Sequence, residues 1–149
     1  MKKIVIGLMC VLTAFTAQAV EDDDKPIRVD QLPSKAQTFI RENFSGLKIA
    51  LAKMESDFFD KSYEVILSMA IRLEFYRDGR WKEIECKYDE VPISAVPDFI
   101  RKYVAEHHAG FKVWKLEYVE EEKCYEVKLS NRWELKFDTR GNLIDLDRD

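Results

Sequence analysis

The chain is 149 residues long, 46% apolar and 35% charged, with 24 basic against 28 acidic side chains and a net charge of −4. That length suits one compact domain or two very small ones, and the apolar share is enough for a core. The acidic balance argues against nucleic acid as a partner, because phosphate contacts need clustered Lys and Arg.

Lys2-Lys3 precede an almost wholly apolar stretch from Ile4 to Phe15, and Ala17-Gln18-Ala19 supplies an A-x-A cleavage site. Such a run is too short for a permanent span. Residues 1–19 therefore read as a Sec-type signal peptide cut after Ala19, giving a periplasmic or secreted product without stable membrane insertion. Cys10 does not make a lipoprotein, since Met9 stands where that processing needs a small residue. Loss of Lys2 and Lys3 leaves 22 basic against 28 acidic side chains, a net charge of −6. Residues 20–31, with Glu21-Asp22-Asp23-Asp24, read as a flexible acidic leader, because like charges at that density resist packing.

The first structural unit, 32–86, opens with a helix. Pro33 fits the first turn, Ala36, Phe39, Ile40 and Asn43 recur at helical spacing, and Gly46 stops it. Leu47 to Met54 is a mixed apolar run that suits a strand contacted on both sides. Glu55 to Lys61 is a loop with Phe58-Phe59 at its centre. Ser62 to Ser68 alternates, with Tyr63, Val65 and Leu67 on one side. Ile71 to Tyr76 follows with Leu73 and Phe75 inward, then an Asp78-Gly79 turn, then Trp81 to Cys86.

Lys87 to Ala95, containing Pro92, is a connector. The second unit, 96–149, repeats the order. Pro97 starts a helix with Ile100, Tyr103, Val104 and His107 on one stripe, and Gly110 ends it. Strands are expected at Phe111 to Val119, Cys124 to Ser130, Trp133 to Asp138 and Leu143 to Asp147, with Arg140-Gly141 as the last turn.

The two units are related residue by residue. Tyr63-Glu64-Val65-Ile66-Leu67-Ser68 recurs as Tyr125-Glu126-Val127-Lys128-Leu129-Ser130, and Leu73-Glu74-Phe75 as Leu135-Lys136-Phe137, both 62 residues apart. Pro33, Phe39, Ile40 and Gly46 recur as Pro97, Tyr103, Val104 and Gly110, 64 apart, so the intervening loop differs by two residues. The expected fold is α+β: two tandem α-β-β-β-β repeats forming an antiparallel sheet, with both helices on one face.

A helix, then Gly-Leu-Lys-Ile or Gly-Phe-Lys-Val, Tyr-Glu-Val, Leu-x-Phe and Asp-Gly or Arg-Gly resembles the PepSY-like family of exported bacterial proteins over about residues 32 to 149. The resemblance implies a periplasmic or secreted protein with a fold similar to beta-lactamase-inhibitor protein. Its shared residues are structural, so it implies no catalytic residues, and inhibition or peptide binding follows by analogy alone.

The remaining polar residues offer few arrangements that could carry chemistry. His107 and His108 are adjacent on a helix and point about 100° apart, which suits a helix C-terminus better than one shared ion. Asp145, Asp147 and Asp149 lack the turn glycine and terminal glutamate of a calcium loop. Cys86 and Cys124 occupy unrelated positions in the two units, so nothing demands that they pair. There is no nucleophile elbow, zincin helix or phosphate loop. These readings point to a protein that is not an enzyme and needs no cofactor or metal.

Binding is favoured by two features. The face opposite the helices is expected to carry Glu64, Ile66, Glu74, Tyr76, Trp81, Glu83 and Glu85, then Glu126, Lys128, Glu134, Lys136 and Asp145: an acidic surface with two aromatics. The Phe58-Phe59 tip, in the loop whose length differs between units, is expected to expose at least one ring or to pack the two on each other. The partner-binding set is thus Phe58, Phe59, Tyr76, Trp81, Glu74 and Glu83. The expected function is that of an exported monomer recognising a protein or peptide and inhibiting an envelope or secreted peptidase or other enzyme. Alternatives are a periplasmic sensor or carrier of a small ligand or cation, or a structural partner of an outer-membrane assembly. A deep apolar pocket would favour the small ligand, and a flat acidic face the protein.

Overall fold

A computed structural model describes residues 24–149; residues 1–19, expected to be a signal peptide, and residues 20–23 of the expected leader lie outside the described residues. The strands are β1 (Lys25–Pro26), β2 (Ile49–Ser56), β3 (Lys61–Leu67), β4 (Ile71–Tyr76), β5 (Trp81–Cys86), β6 (Val113–Val119), β7 (Cys124–Leu129), β8 (Trp133–Asp138) and β9 (Leu143–Arg148). Helix α1 is Ser34–Asn43 and α2 is Asp98–His107. Among the described residues the strands form a single sheet in the order β1 to β9, every neighbouring pair antiparallel. A helix followed by four strands therefore runs through the chain twice.

Both helices lie on one face, where their apolar stripe meets the alternating apolar residues of the strands. Ala36 and Ile40 of α1, and Ile100 and Val104 of α2, are buried against Val65, Leu73, Phe75, Ile84, Leu116, Val127, Leu135 and Phe137. Phe39 meets Phe75 edge-on at 5.9 Å and Tyr103 meets Phe137 edge-on at 5.2 Å, the same contact in each half. The β4–β5 turn comes so close to the start of α1 that a Cβ on Gly79 would lie 2.7 Å from that of Pro33, and its φ of +87° is also a glycine conformation.

Segment 25–31 extends the order beyond the expected start at residue 32. Lys25–Pro26 pair with Met54 and Lys53, and Ile27 donates its amide to the Ala52 carbonyl at 2.9 Å. Val29–Gln31 then form a short 3-10 turn into α1. Ile27 packs on the core and Asp24 meets Lys53 at 2.8 Å, and both contacts help the backbone pairing hold this end down.

The sequence phase fails at one aromatic. A bulge between Glu74 and Phe75 in the β4–β5 ladder sets Trp81 opposite Phe75, on the helix side. Trp81 stacks against Phe39 at 6.5 Å and packs on Tyr125 at 6.2 Å. It is not part of the open face. Cys86 and Cys124 are free and buried, at opposite ends of the strands.

Candidate functional site

The open face is built by cross-strand register. Lys53, Glu64, Glu74, Glu83, Glu117, Glu126, Lys136 and Asp145 lie directly opposite one another on successive strands from β2 to β9. Five adjacent glutamates in one row would repel. The neighbouring row supplies the answer. Arg72 sits 2.8 Å from Glu74, 2.6 Å from Glu83, 2.9 Å from Glu85 and 3.6 Å from Glu64. Lys115 lies 2.9 Å from Glu83 and 3.3 Å from Glu117. Glu83 is the buried charge of the face, 6% exposed, and it is held from both sides. Burial and then the Glu83 carboxylate push the Glu74 carboxyl above its ordinary range.

In the second half the face curves into a concavity of about 560 Å³. Lys128 and Lys136 stand inside it, paired with Glu134 at 2.9 Å and Glu126 at 3.3 Å. Trp114 lines it as well, 38% exposed. The sequence reading missed this residue, because a register shift between Val113 and Lys115 turns it to the open face and breaks the alternation.

Tyr76 does lie on this face, but its hydroxyl is occupied. It donates to the Tyr118 carbonyl at 2.6 Å and accepts from the Glu120 amide at 3.2 Å. Burial raises its phenol above the usual value. The ring ties the first half to the β6–β7 hairpin and leaves its face to Arg80, at 5.4 Å.

Phe58 and Phe59 are 96% and 99% exposed at the β2–β3 tip, with ring centroids 6.4 Å apart. The tip is closed by the Asp57 amide donating to the Asp60 carbonyl at 2.9 Å, while the Asp57 carboxylate accepts from the Phe58 amide at 2.6 Å. Backbone geometry, rather than burial, therefore presents the two rings. The structure brings Glu74 and Glu83 together, sets Tyr76 on the same face, holds Phe58 and Phe59 out at the tip, and removes Trp81 to the other side.

On that other side a groove of about 580 Å³ runs along α1, floored by Phe39, Trp81, Tyr118 and Tyr125. Glu122, Cys124 and Glu126 have donor atoms within 4.8 Å of one another. Lys136 already bridges the two carboxylates there, and burial raises the Cys124 thiol, which opposes the thiolate a metal needs. His107 stacks on Tyr103 at 4.2 Å, while His108 packs near Trp133 with its imidazole pKa lowered by burial and by His107. Asp149 pairs with Lys128 instead of joining Asp145 and Asp147.

The architecture defines a mostly β protein, a broad antiparallel sheet with helices on one face and charge on the other. The chain belongs to the PepSY-like family, described as "Putative beta-lactamase-inhibitor-like, PepSY-like", which matches residues 61–145. It is similar to a crystal structure from Bacteroides thetaiotaomicron described as a "putative calcium-regulated periplasmic protein", at 54% identity and a TM-score of 0.82, covering 85% of this chain and 98% of that one. A second similar structure, a "putative periplasmic protein from DUF2874 family" of Bacteroides vulgatus, shares 53% identity at a TM-score of 0.82, covering 86% and 99%. A third, described as a "putative periplasmic protein of unknown function" from the same species, shares 39% identity at a TM-score of 0.77, covering 83% and 98%. No protein of curated function matches. Among the described residues no helix is long and apolar enough to cross a membrane.

Proposed function

We propose that this is an exported, non-enzymatic protein that binds a protein or peptide, with inhibition of an envelope or secreted enzyme as one form of that activity. The observation that carries the reading is the Phe58-Phe59 pair: two full aromatic rings in solvent, held there by hydrogen bonds of the turn. Exposed rings at a hairpin tip are costly in water and are typical anchors of an interface. The open face adds acidic groups that speed encounter with a basic partner. Its concavity is walled by ion pairs and holds no deep apolar pocket among the described residues, which favours a macromolecular partner. Export is supported by the signal-like start and by the similar structures described as putative periplasmic proteins. Descent from a doubled α-β-β-β-β unit of beta-lactamase-inhibitor type is supported by the matching aromatic contacts of the two halves.

The aromatic-floored groove beside α1 favours a second reading, a small-ligand carrier or sensor, since stacked rings suit a planar or sugar-like molecule. The cation reading draws only on the relative described as calcium-regulated. A role as a structural partner in an outer-membrane assembly is a third reading. The deciding experiment is capture from periplasmic extract with the processed chain and with a Phe58→Ala/Phe59→Ala double variant. A partner retained by the first and lost by the second supports the reading. One retained equally by both sinks the tip as its anchor.

A further inference from the structure

The two edges of the sheet are treated differently. β2 is covered by the stub Lys25–Pro26, with Ile27 donating to Ala52. β9 has no neighbour on its outer side among the described residues. The chain itself shows what such an edge accepts. β5 and β9 sit in the same register on their preceding strands, bulge included, because Phe75 faces Trp81 as Phe137 faces Leu143. Asp145, Leu146 and Asp147 thus stand where Glu83, Ile84 and Glu85 stand in the first half. There, β6 pairs in through Glu117, Leu116 and Lys115. Ile84 is 0% exposed beneath that strand, whereas Leu146 is 44% exposed.

The outward amides of β9 are held by its own side chains, not by a neighbouring strand. The Asp149 amide donates to the Arg132 carbonyl. By the alternation of antiparallel ladders, Asp145 and Asp147 direct their backbone groups to β8, while Leu146 and Arg148 direct theirs outward, where their amides donate to the Asp145 and Asp147 carboxylates at 2.9 and 2.7 Å; an incoming strand would take over these amides and leave the carboxylates to its basic side chains. On the open face, Glu85 and Glu83 are neutralised by Arg72, and Glu83 also by Lys115 across the β5–β6 junction. Asp145 and Asp147 have no ion pair with a basic side chain among the described residues.

We infer that the β9 edge accepts an extended segment of a partner protein as a further antiparallel strand, one whose apolar residue is flanked by basic residues. The inference rests on the peptide-binding reading above and gives it a place and a substrate class. The apolar residue covers Leu146 as Leu116 covers Ile84, and a basic residue faces Asp147 as Lys115 faces Glu85; Asp145 takes the second basic residue because its counterpart Glu83, opposite Glu117, is neutralised by Arg72 and Lys115, pairings that Asp145 lacks among the described residues. Strand addition of this kind takes affinity from main-chain hydrogen bonds and selectivity from alternate side chains. A second copy is the poorer occupant. Antiparallel self-pairing about Leu146 would set Asp145 of one chain against Asp147 of the other, and like charges directly opposite repel.

The test uses a fluorescent eight-residue peptide alternating valine and lysine, titrated into the processed chain. Controls are the same peptide with alternate backbone nitrogens methylated, and one with glutamate for lysine. Leu146→Pro removes an amide that points away from β8, at an edge where proline is tolerated, and its fold is checked by thermal melting. Saturable binding that weakens roughly tenfold or more, about 1.4 kcal/mol, for both control peptides and for Leu146→Pro is the expected result. Equal binding of the methylated peptide, or equal binding by a folded Leu146→Pro, would reduce the effect to charge attraction and overturn the inference. So would the absence of saturation. If a captured natural partner needs Phe58 and Phe59 but not Leu146, only the edge proposal falls; if it needs neither, the tip falls as an anchor as well; if no protein or peptide is captured at all, the reading beneath both falls.

Discussion

Arg72 Nη2 lies 2.6 Å from the Glu83 carboxylate, and the same guanidinium reaches Glu64, Glu74 and Glu85 on three strands. One cation thus holds four carboxylates at the centre of the open face. Removing it strands a buried charge. Arg72→Met should cost about 2–4 kcal/mol at neutral pH, between the value of an exposed pair and that of a fully buried one. Chemical denaturation at pH 7 and pH 4 checks this: the deficit should shrink in acid, where the raised Glu74 carboxyl loses its charge. A deficit independent of pH would mean that packing of the arginine stem, not charge, is what was lost.

Glu74 gives the complementary experiment. Its folded carboxyl is raised by burial and by Glu83, so between its unfolded and folded pKa values the native state binds more protons than the unfolded one. Stability from this group therefore falls as pH rises through that window, and its charged form is a cost at neutrality. Glu74→Gln should raise the unfolding free energy at pH 7 by an amount on the order of 0.5–1 kcal/mol. The gain should close below about pH 4, where wild-type Glu74 is itself protonated.

Phe75 and Phe137 are both 0% exposed and are met edge-on by Phe39 and Tyr103 respectively. Replacing either by Ala should cost about 3–5 kcal/mol. Urea melts of the two variants should agree closely. A difference of more than about 2 kcal/mol would show that the two halves do not carry matched cores.

Trp81 shows where sequence reading stops. The helix stripes, the four-strand order and the turns were legible because period-3.6 and period-2 patterns were each written twice. Strands β4, β5 and β8 fall at the residues anticipated for them. A bulge leaves no compositional mark, yet one extra residue reverses every side chain beyond it until the ladder resumes. Trp81 crossed to the helix side this way, and Trp114 reached the open face by a similar shift in β6. Strand β1 was hidden by its charged surroundings, and the Tyr76 bridge to Tyr118 spans 42 residues, beyond any local pattern. The acid row was visible as composition, but its pairing by Arg72 depends on register. Trp81→Ala should accordingly act on stability, by about 2–3 kcal/mol for a half-buried ring, and leave partner binding by the folded protein unchanged in the capture assay.

Phe58 and Phe59 should behave in the opposite way. Their rings touch each other and little else, so each has almost no buried area to lose. Phe58→Ala and Phe59→Ala should alter folding stability by less than about 0.5 kcal/mol, the usual range for surface substitutions. Against a captured partner, truncation of the ring that seats in its cleft should weaken binding by about 2 kcal/mol or more, nearly thirtyfold. The acidic face should act on a different quantity. Charge reversal at Glu85, 2.9 Å from Arg72 and on the rim of the concavity, should slow association with a basic partner and flatten its salt dependence. Surface plasmon resonance at low and high salt separates the two. A tip variant should raise the dissociation rate at every salt concentration, while a face variant should lower the association rate mainly at low salt. Tip variants that change only the association rate would remove the rings from the interface and leave charge as the sole determinant.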